Sequence, residues 1–148
     1  MSSEINIGVR EIKTTDLCYG QVYNLRESVL RVPLGLSLAN EDLSKDKDDI
    51  VLAAFCSGNV VGCVMLQHLD IDRVKLRQMA VNPGLQTQGV GTAIVSAAEK
   101  TCRERGYKKI VLHAREIARG FYEKAGYLVC SDQFEEVGIP HYAMEKDI

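Results

Sequence analysis

Val74 to Cys102 reads VKLRQMAVNPGLQTQGVGTAIVSAAEKTC, and the order of signals in this stretch decides the fold. Val74 to Val81 is an extended, β-prone run, and Asn82-Pro83-Gly84 then supplies turn residues, so a strand ends there. From Val90, apolar residues at Val90, Ile94, Ala97, Ala98 and Cys102 have the spacing of one helical face, which assigns Glu99, Lys100, Arg103 and Glu104 to solvent. Between strand and helix lies Gln86-Thr87-Gln88-Gly89-Val90-Gly91. The first N–H groups of a helix have no intrahelical partner; glycine lets an anion approach them closely, and the helix dipole favours negative charge there. The stretch predicts a strand, a turn that holds a phosphate ester, and a helix.

The phosphate ester is narrowed by what the turn lacks. A P-loop needs Gly-Lys-Ser/Thr at the helix start, and a dinucleotide fold needs G-x-G-x-x-G early in a βαβ unit. Neither is present.

Working outward, the 148 residues are 46% hydrophobic, enough to bury roughly 68–70% of the unfolded surface around one core. A single domain spanning 1–148 is expected. The net charge of −2 comes from mixed signs without a basic run, so the electrostatic footprint of a nucleic-acid binder is absent. MSSEINIGVREI carries no apolar core of signal-peptide length, and no apolar run approaches the roughly 20 residues of a membrane span. The reading is a cytoplasmic protein with no membrane partner. Five cysteines, Cys18, Cys56, Cys63, Cys102 and Cys130, include no C-x-x-C and fall mostly in apolar segments, as reduced core residues do.

Upstream, Asn6 to Lys13, with Ile5, Ile7 and Val9 alternating, predicts a first strand. Thr15 or Asp16 can cap a helix whose stripe is Leu17, Val22, Leu25, Val29 and Leu30, and which Pro33 and Gly35 stop. Leu36 to Asp49 reads as a solvated loop bearing Glu41, Asp42, Asp46, Asp48 and Asp49; a patch for a cationic substrate is the alternative. Ile50–Cys56, Val60–His68 and Val74–Val81, separated by short turns, predict a three-stranded meander. Downstream, Gly106 is placed as a helix C-cap, and Lys109–His113 reads as a buried strand parallel to Val74–Val81. Ile117–Lys124 is a short helix ended by Gly126. Tyr127–Cys130 and Tyr142–Lys146 form a closing hairpin with a long loop. The fold class is α/β, a mixed and mostly antiparallel sheet flanked by about four helices.

The pattern Q-x-x-G-x-G after R-Q-M-A-V-N-P, with the later A-R-G-F-Y-E-K-A-G-Y from Ala118 to Tyr127, resembles the GNAT superfamily of N-acetyltransferases. That resemblance runs over nearly the whole chain and implies acetyl-CoA as cofactor, in a gap where one parallel strand pair splays apart. It implies pantetheine contacts from the main chain of Met79, Ala80 and Val81, and a pyrophosphate held by Gln86, Thr87, Gln88, Gly89, Val90, Gly91 and Thr92. It also places Tyr122 near the coenzyme A sulfur, where a phenol with an ordinary pKa near 10 can act as an acid.

A base is needed to deprotonate the attacking ammonium, from a histidine, a carboxylate or a water chain, and histidine alone has an unperturbed pKa in the fitting range. His141, after Gly138-Ile139-Pro140, is preferred over His68 at a strand end and His113 inside an apolar strand. Leu76-Arg77-x-Met79-Ala80, Ala114-Arg115 and Ile139-Pro140-His141 are similar to segments of the glyphosate N-acetyltransferase-like bacterial enzymes. That similarity implies a His141 base, a Tyr122 acid, and Arg31, Arg77 and Arg115 binding the acid group of a small amine substrate together with His141. A guanidinium binds carboxylate or phosphonate bidentately. A polyamine, aminoglycoside or protein amine as acceptor, or a non-catalytic coenzyme A-binding module, stays open. No metal is called for, and the resemblance leaves room for a homodimer.

Overall fold

The computed structural model describes residues 6–86 and 88–148; Ile5 of the predicted first strand and Thr87 of the glycine turn lie outside them. The described strands are β1 Gly8–Ile12, β2 Ile50–Cys56, β3 Asn59–His68, β4 Arg73–Val81, β5 Lys109–Arg115, β6 Leu128–Val129, β7 Phe134–Glu136 and β8 Ile139–Asp147. The α-helices among the described residues are α1 Tyr19–Arg26, α2 Val90–Glu104 and α3 Arg119–Lys124, one fewer than the sequence suggests, with short 3-10 turns between elements. The chain groups into two compact units, residues 1–66 with 78–98, and residues 67–77 with 99–148.

In the first unit the strand order is β1-β2-β3 followed by the end of β4. β1 runs antiparallel to β2, from Gly8 opposite Phe55 to Ile12 opposite Val51. β2 and β3 form a hairpin through Ser57 (φ 52°) and Gly58 (φ 80°); positive φ at both central residues gives the turn the twist its strands need. β2 and β3 read as nearly continuous apolar runs because both faces are covered. Val51, Ala53, Cys63 and Met65 meet Val22 in a buried cluster that also takes Leu25, Val29 and Leu30. On the other face, a Cβ at Gly62 would stand 2.6 Å from Ile94 Cδ1 and 3.0 Å from Val90 Cγ1, so α2 lies directly on β3 there.

The first helix differs from its prediction. Asp16 Oδ2 accepts from Lys13 N–H at 2.8 Å, Cys18 takes the N-cap place without a side-chain cap, and Leu17 is fully exposed before the helix begins. After Arg26 the helix widens to a π-helical segment, Glu27–Arg31. The segment from Leu36 to Asp49 is likewise less solvated than expected. Glu27 accepts from Ser37 Oγ at 2.9 Å and Leu38 N–H at 3.1 Å, Arg31 grips Glu41 at 2.6 and 3.2 Å, and Asp46 pairs with the fully buried Arg26 at 3.0 Å.

In the second unit β4 and β5 are parallel, from Arg73 opposite Lys109 to Leu76 opposite Leu112, where the register ends. β5 pairs antiparallel with β8 along its whole length, Lys109 opposite Asp147 and Arg115 opposite His141. The predicted long loop contains β7, which pairs with the start of β8, while β6 pairs with Glu145 and Met144 further along. β8 therefore begins at Ile139, and His141 stands inside a strand rather than at a loop end. Gly106 (φ +86°) ends α2 as predicted, with Tyr107 N–H bonding the Cys102 carbonyl at 3.0 Å. Glu99, assigned to solvent by its helical position, is buried: it accepts from Tyr127 Oη at 2.9 Å and from Lys146 Nζ at 3.0 Å.

Candidate active site

The glycine turn belongs to the first unit. α2 begins at Val90 with no acidic residue in its first turn, and Ala93 N–H bonds the Gly89 carbonyl at 3.0 Å. The N–H groups of Val90, Gly91 and Thr92 precede it and have no partner within the helix. Gly89 is exposed, has φ +79°, and would meet nothing within 4 Å of an added Cβ. An open, dipole-favoured helix start of this kind fits an anionic phosphate ester. Gln88 fits that role less well than predicted, since its N–H already bonds the Leu85 carbonyl at 3.0 Å. Gln86 is exposed beside it, and Thr87 falls outside the described residues.

Before the turn, Ala80 and Val81 are buried and Met79 is half-buried, so what the first two can offer a ligand is main chain. Gln78 has φ +53°, a left-handed conformation unusual for a residue with a side chain. Two contacts hold it there. Arg26 Nε donates to Gln78 Oε1 at 3.1 Å and the Cys63 thiol donates to the Gln78 carbonyl at 3.6 Å; Arg26 is itself fixed by Tyr19 Oη and Asp46. The bend falls one residue after Arg77, immediately beyond the end of the parallel register. Burial pushes the Cys63 thiol up to about 12 and the Cys102 thiol up to about 11, which removes both as nucleophiles at neutral pH.

The second unit gathers the other predicted residues. Side chains of a strand alternate between faces, and directly opposed residues share one. By the registers above, Lys75 on β4, Val111, His113 and Arg115 on β5, and His141 on β8 lie on one face, and Arg77 continues the Lys75 row. The opposite face carries the buried Val74, Leu76, Ile110, Leu112, Ala114 and Met144. Arg77, Arg115 and His141 are thus brought to the same side of one sheet. Arg31, in the first unit, is 9% exposed and chelated by Glu41.

His141 is 5% exposed. Its Nδ1 lies 2.9 Å from the Ile139 carbonyl, which can only accept, so the neutral ring carries its proton on Nδ1 and presents a lone pair at Nε2. Phe134 stacks on it, with ring centroids 6.1 Å apart. Glu136 Oε2 stands 3.7 Å from Nε2. His113 is not buried in an apolar strand, as its sequence neighbours suggest, but exposed on the open face, with Nδ1 2.9 Å from Glu136 Oε1. His68 is exposed and engaged by Tyr107 Oη at 2.6 Å. Tyr122 is 8% exposed, between Phe121 and Tyr127 in edge-to-face packing, and burial pushes its phenol up to about 12.

Glu136 and Phe134 are what sequence reasoning missed. Phe134-Glu135-Glu136 is short and its acidic pair reads as loop, so β7 gave no apolar period to find. The usable signal was Val137-Gly138, a two-residue turn between short extended runs; both take positive φ, 47° and 79°.

Comparison with known proteins bears on these features together. Residues 34–148 match the family model described as an acetyltransferase (GNAT) domain. The uncharacterized N-acetyltransferase YjcF of Bacillus subtilis (strain 168) is 39% identical over 74 residues, 49% of this chain and 53% of that protein. The chain is aligned over about half the length of each of the first curated relatives it matches. Among solved structures, Escherichia coli ElaA superposes with a TM-score of 0.82 at 21% identity, over 95% of this chain and 99% of that one. An aminoglycoside 6'-N-acetyltransferase complexed with coenzyme A gives 0.80 at 18%, over 95% and 96%; at such identities the likeness speaks to the fold. With the strand, glycine turn and helix in the order that family uses, and its model matched from Leu34 to the last residue, the chain belongs to the GNAT acetyltransferase family.

Proposed function

We propose that this protein is an acetyl-CoA-dependent N-acetyltransferase acting by direct transfer on a small primary amine that carries a carboxylate or phosphonate, in the manner of the glyphosate N-acetyltransferase-like enzymes. The observation that carries the acceptor class is the common face of Arg77, Arg115 and His141. Two guanidinium groups there suit a bidentate acid group, and the lone pair on His141 Nε2 suits the ammonium proton. The turn amides Val90, Gly91 and Thr92 hold the pyrophosphate, and coenzyme A fits a relative of this fold that binds it. That cosubstrate supplies the acetyl thioester.

His141 takes a proton from the ammonium, which leaves a nucleophilic amine. Tyr122 gives its hydroxyl hydrogen to the departing sulfur. Because burial raises the phenol, Tyr122 is a weak acid; it acts first as a hydrogen-bond donor and yields its proton only as charge develops on sulfur. Arg31 is committed to Glu41 and enters substrate binding only if that pair opens. The acceptors weighed against this one, a polyamine, aminoglycoside or protein amine, drew on the acidic loop, whose Glu41, Asp42 and Asp46 are already engaged by Arg31, Ser44 and Arg26.

Thiol release from acetyl-CoA across a panel of amines tests the reading. Amino acids and aminophosphonates should lead the panel. Arg77→Gln and Arg115→Gln should each raise acceptor KM roughly 10- to 100-fold, the scale of a charge-assisted pair, with acetyl-CoA KM almost unchanged. A preference for spermidine or a lysine peptide, with both variants unimpaired, would discard the anionic pocket.

A further inference from the structure

His141 has only one nitrogen free for proton transfer, and the groups that face it decide how it behaves. From β7 comes Glu136, from β5 come His113 and Arg115, and Lys75 on β4 acts on Glu136 in turn. Arg115 lies directly opposite His141 in the β5–β8 register. A proton taken up by the ring adds positive charge on this face, which a nearby carboxylate can balance. Glu136 is that carboxylate. One carboxylate oxygen is bonded by His113 at 2.9 Å and the other stands 3.7 Å from His141 Nε2.

Phe134 fixes the spacing, since it meets the His113 ring edge-on at 5.0 Å and stacks on His141. Phe134 and Glu136 are two residues apart on the three-residue strand β7, so both point to the same side. β7 therefore presents a ring that sets the tilt of His141 and a carboxylate that sets its charge.

We propose that Glu136 is the positioning residue of the His141 base, held in place by His113. This rests on the reading of His141 given above. The 3.7 Å gap is longer than a hydrogen bond, so Nε2 keeps its lone pair for the substrate, while the carboxylate is close enough to steady an imidazolium. In the step, an N–H bond of the ammonium breaks, its electron pair stays on the substrate nitrogen, and the proton binds His141 Nε2. Glu136 neither gains nor loses a proton; it balances the charge that has moved onto the ring. Its carboxyl group is already biased toward ionisation: burial raises it, but the His113 hydrogen bond and nearby positive charge, that of Lys75 included, outweigh that and leave it below the usual range.

The test compares the full-length wild type with Glu136→Gln, Glu136→Asp, His113→Gln and His141→Ala, in pH–rate profiles with the best acceptor and in an NMR titration of the His141 ring. Glu136→Gln should lower kcat roughly 10-fold near neutral pH, leave acetyl-CoA KM alone, and move both the acid limb of kcat and the His141 titration to lower pH. Glu136→Asp should recover part of each change, and His113→Gln should cause a smaller loss in the same direction. A structural role for Glu136 would leave the limb and the titration in place. If Glu136→Gln keeps kcat within about twofold and its titration unmoved while His141→Ala is slow, Glu136 is not the positioning residue but the base stands. A His141→Ala enzyme as fast as wild type would instead overturn the base itself, and Glu136 with it.

Discussion

Tyr122 shows how a single residue can be proposed from sequence while its environment stays hidden. The helix A-R-G-F-Y-E-K-A-G-Y singles out its phenol, but an ordinary pKa ignores where the ring is packed. Tyr122→Phe keeps that packing and removes the donor, so kcat should fall by about 10² to 10⁴ in a folded enzyme; a rate within about threefold of wild type would make the ring a packing element. The same burial has a sign at high pH. A phenol raised from 10.0 to about 12 must stay neutral in the fold while the unfolded chain ionises, so folding stability falls as pH rises across that window. Over it Tyr122→Phe should lose roughly 3 kcal/mol less than wild type, read from urea unfolding at pH 9 to about 12. Tyr127, also raised by burial and by Glu99, declines in both proteins. His141 could be proposed as a base from its residue type and resemblance, whereas the neighbouring Glu136 could not, because their proximity depends on a three-residue strand.

At the scale of elements, β4, the glycine turn and α2 were readable because period and punctuation agree there. Glu99 was misplaced for the opposite reason. Helical spacing reports which side of a helix is apolar, but Tyr127 and Lys146 reach Glu99 from residues remote in sequence. The loop between α1 and β2 failed in the same way, since nothing local tells that Asp46 will meet Arg26. That pair is buried and makes a sharp prediction. Arg26→Met takes the guanidinium away from a buried carboxylate and from Gln78, so it should cost about 3–5 kcal/mol, while Arg26→Met with Asp46→Leu should regain most of the loss in chemical denaturation. The seat of α2 is tested at Gly62. Gly62→Val puts a branched side chain where even one Cβ is 2.6 Å from Ile94, and the cost of overpacking, about 1–3 kcal/mol, should appear as a lower Tm with a raised KM for acetyl-CoA.

For the whole molecule, fold class was legible and substrate was not. Alternation, turns and the glycine motif are local statistics, whereas an acceptor pocket is a property of side chains brought together by register: Arg115 and His141 are 26 positions apart and directly opposed. The two compact units are built from alternating pieces of chain. The boundary falls inside β3, between Leu66 and Gln67, inside β4, between Arg77 and Gln78, and inside α2, between Ala98 and Glu99. No single cut yields either unit, so neither can be inherited or exchanged as a cassette. Synthesis from the N-terminus also meets the two unequally. By the time α2 has been made, every segment of the first unit exists, whereas β5 must wait for β8, which is made after it.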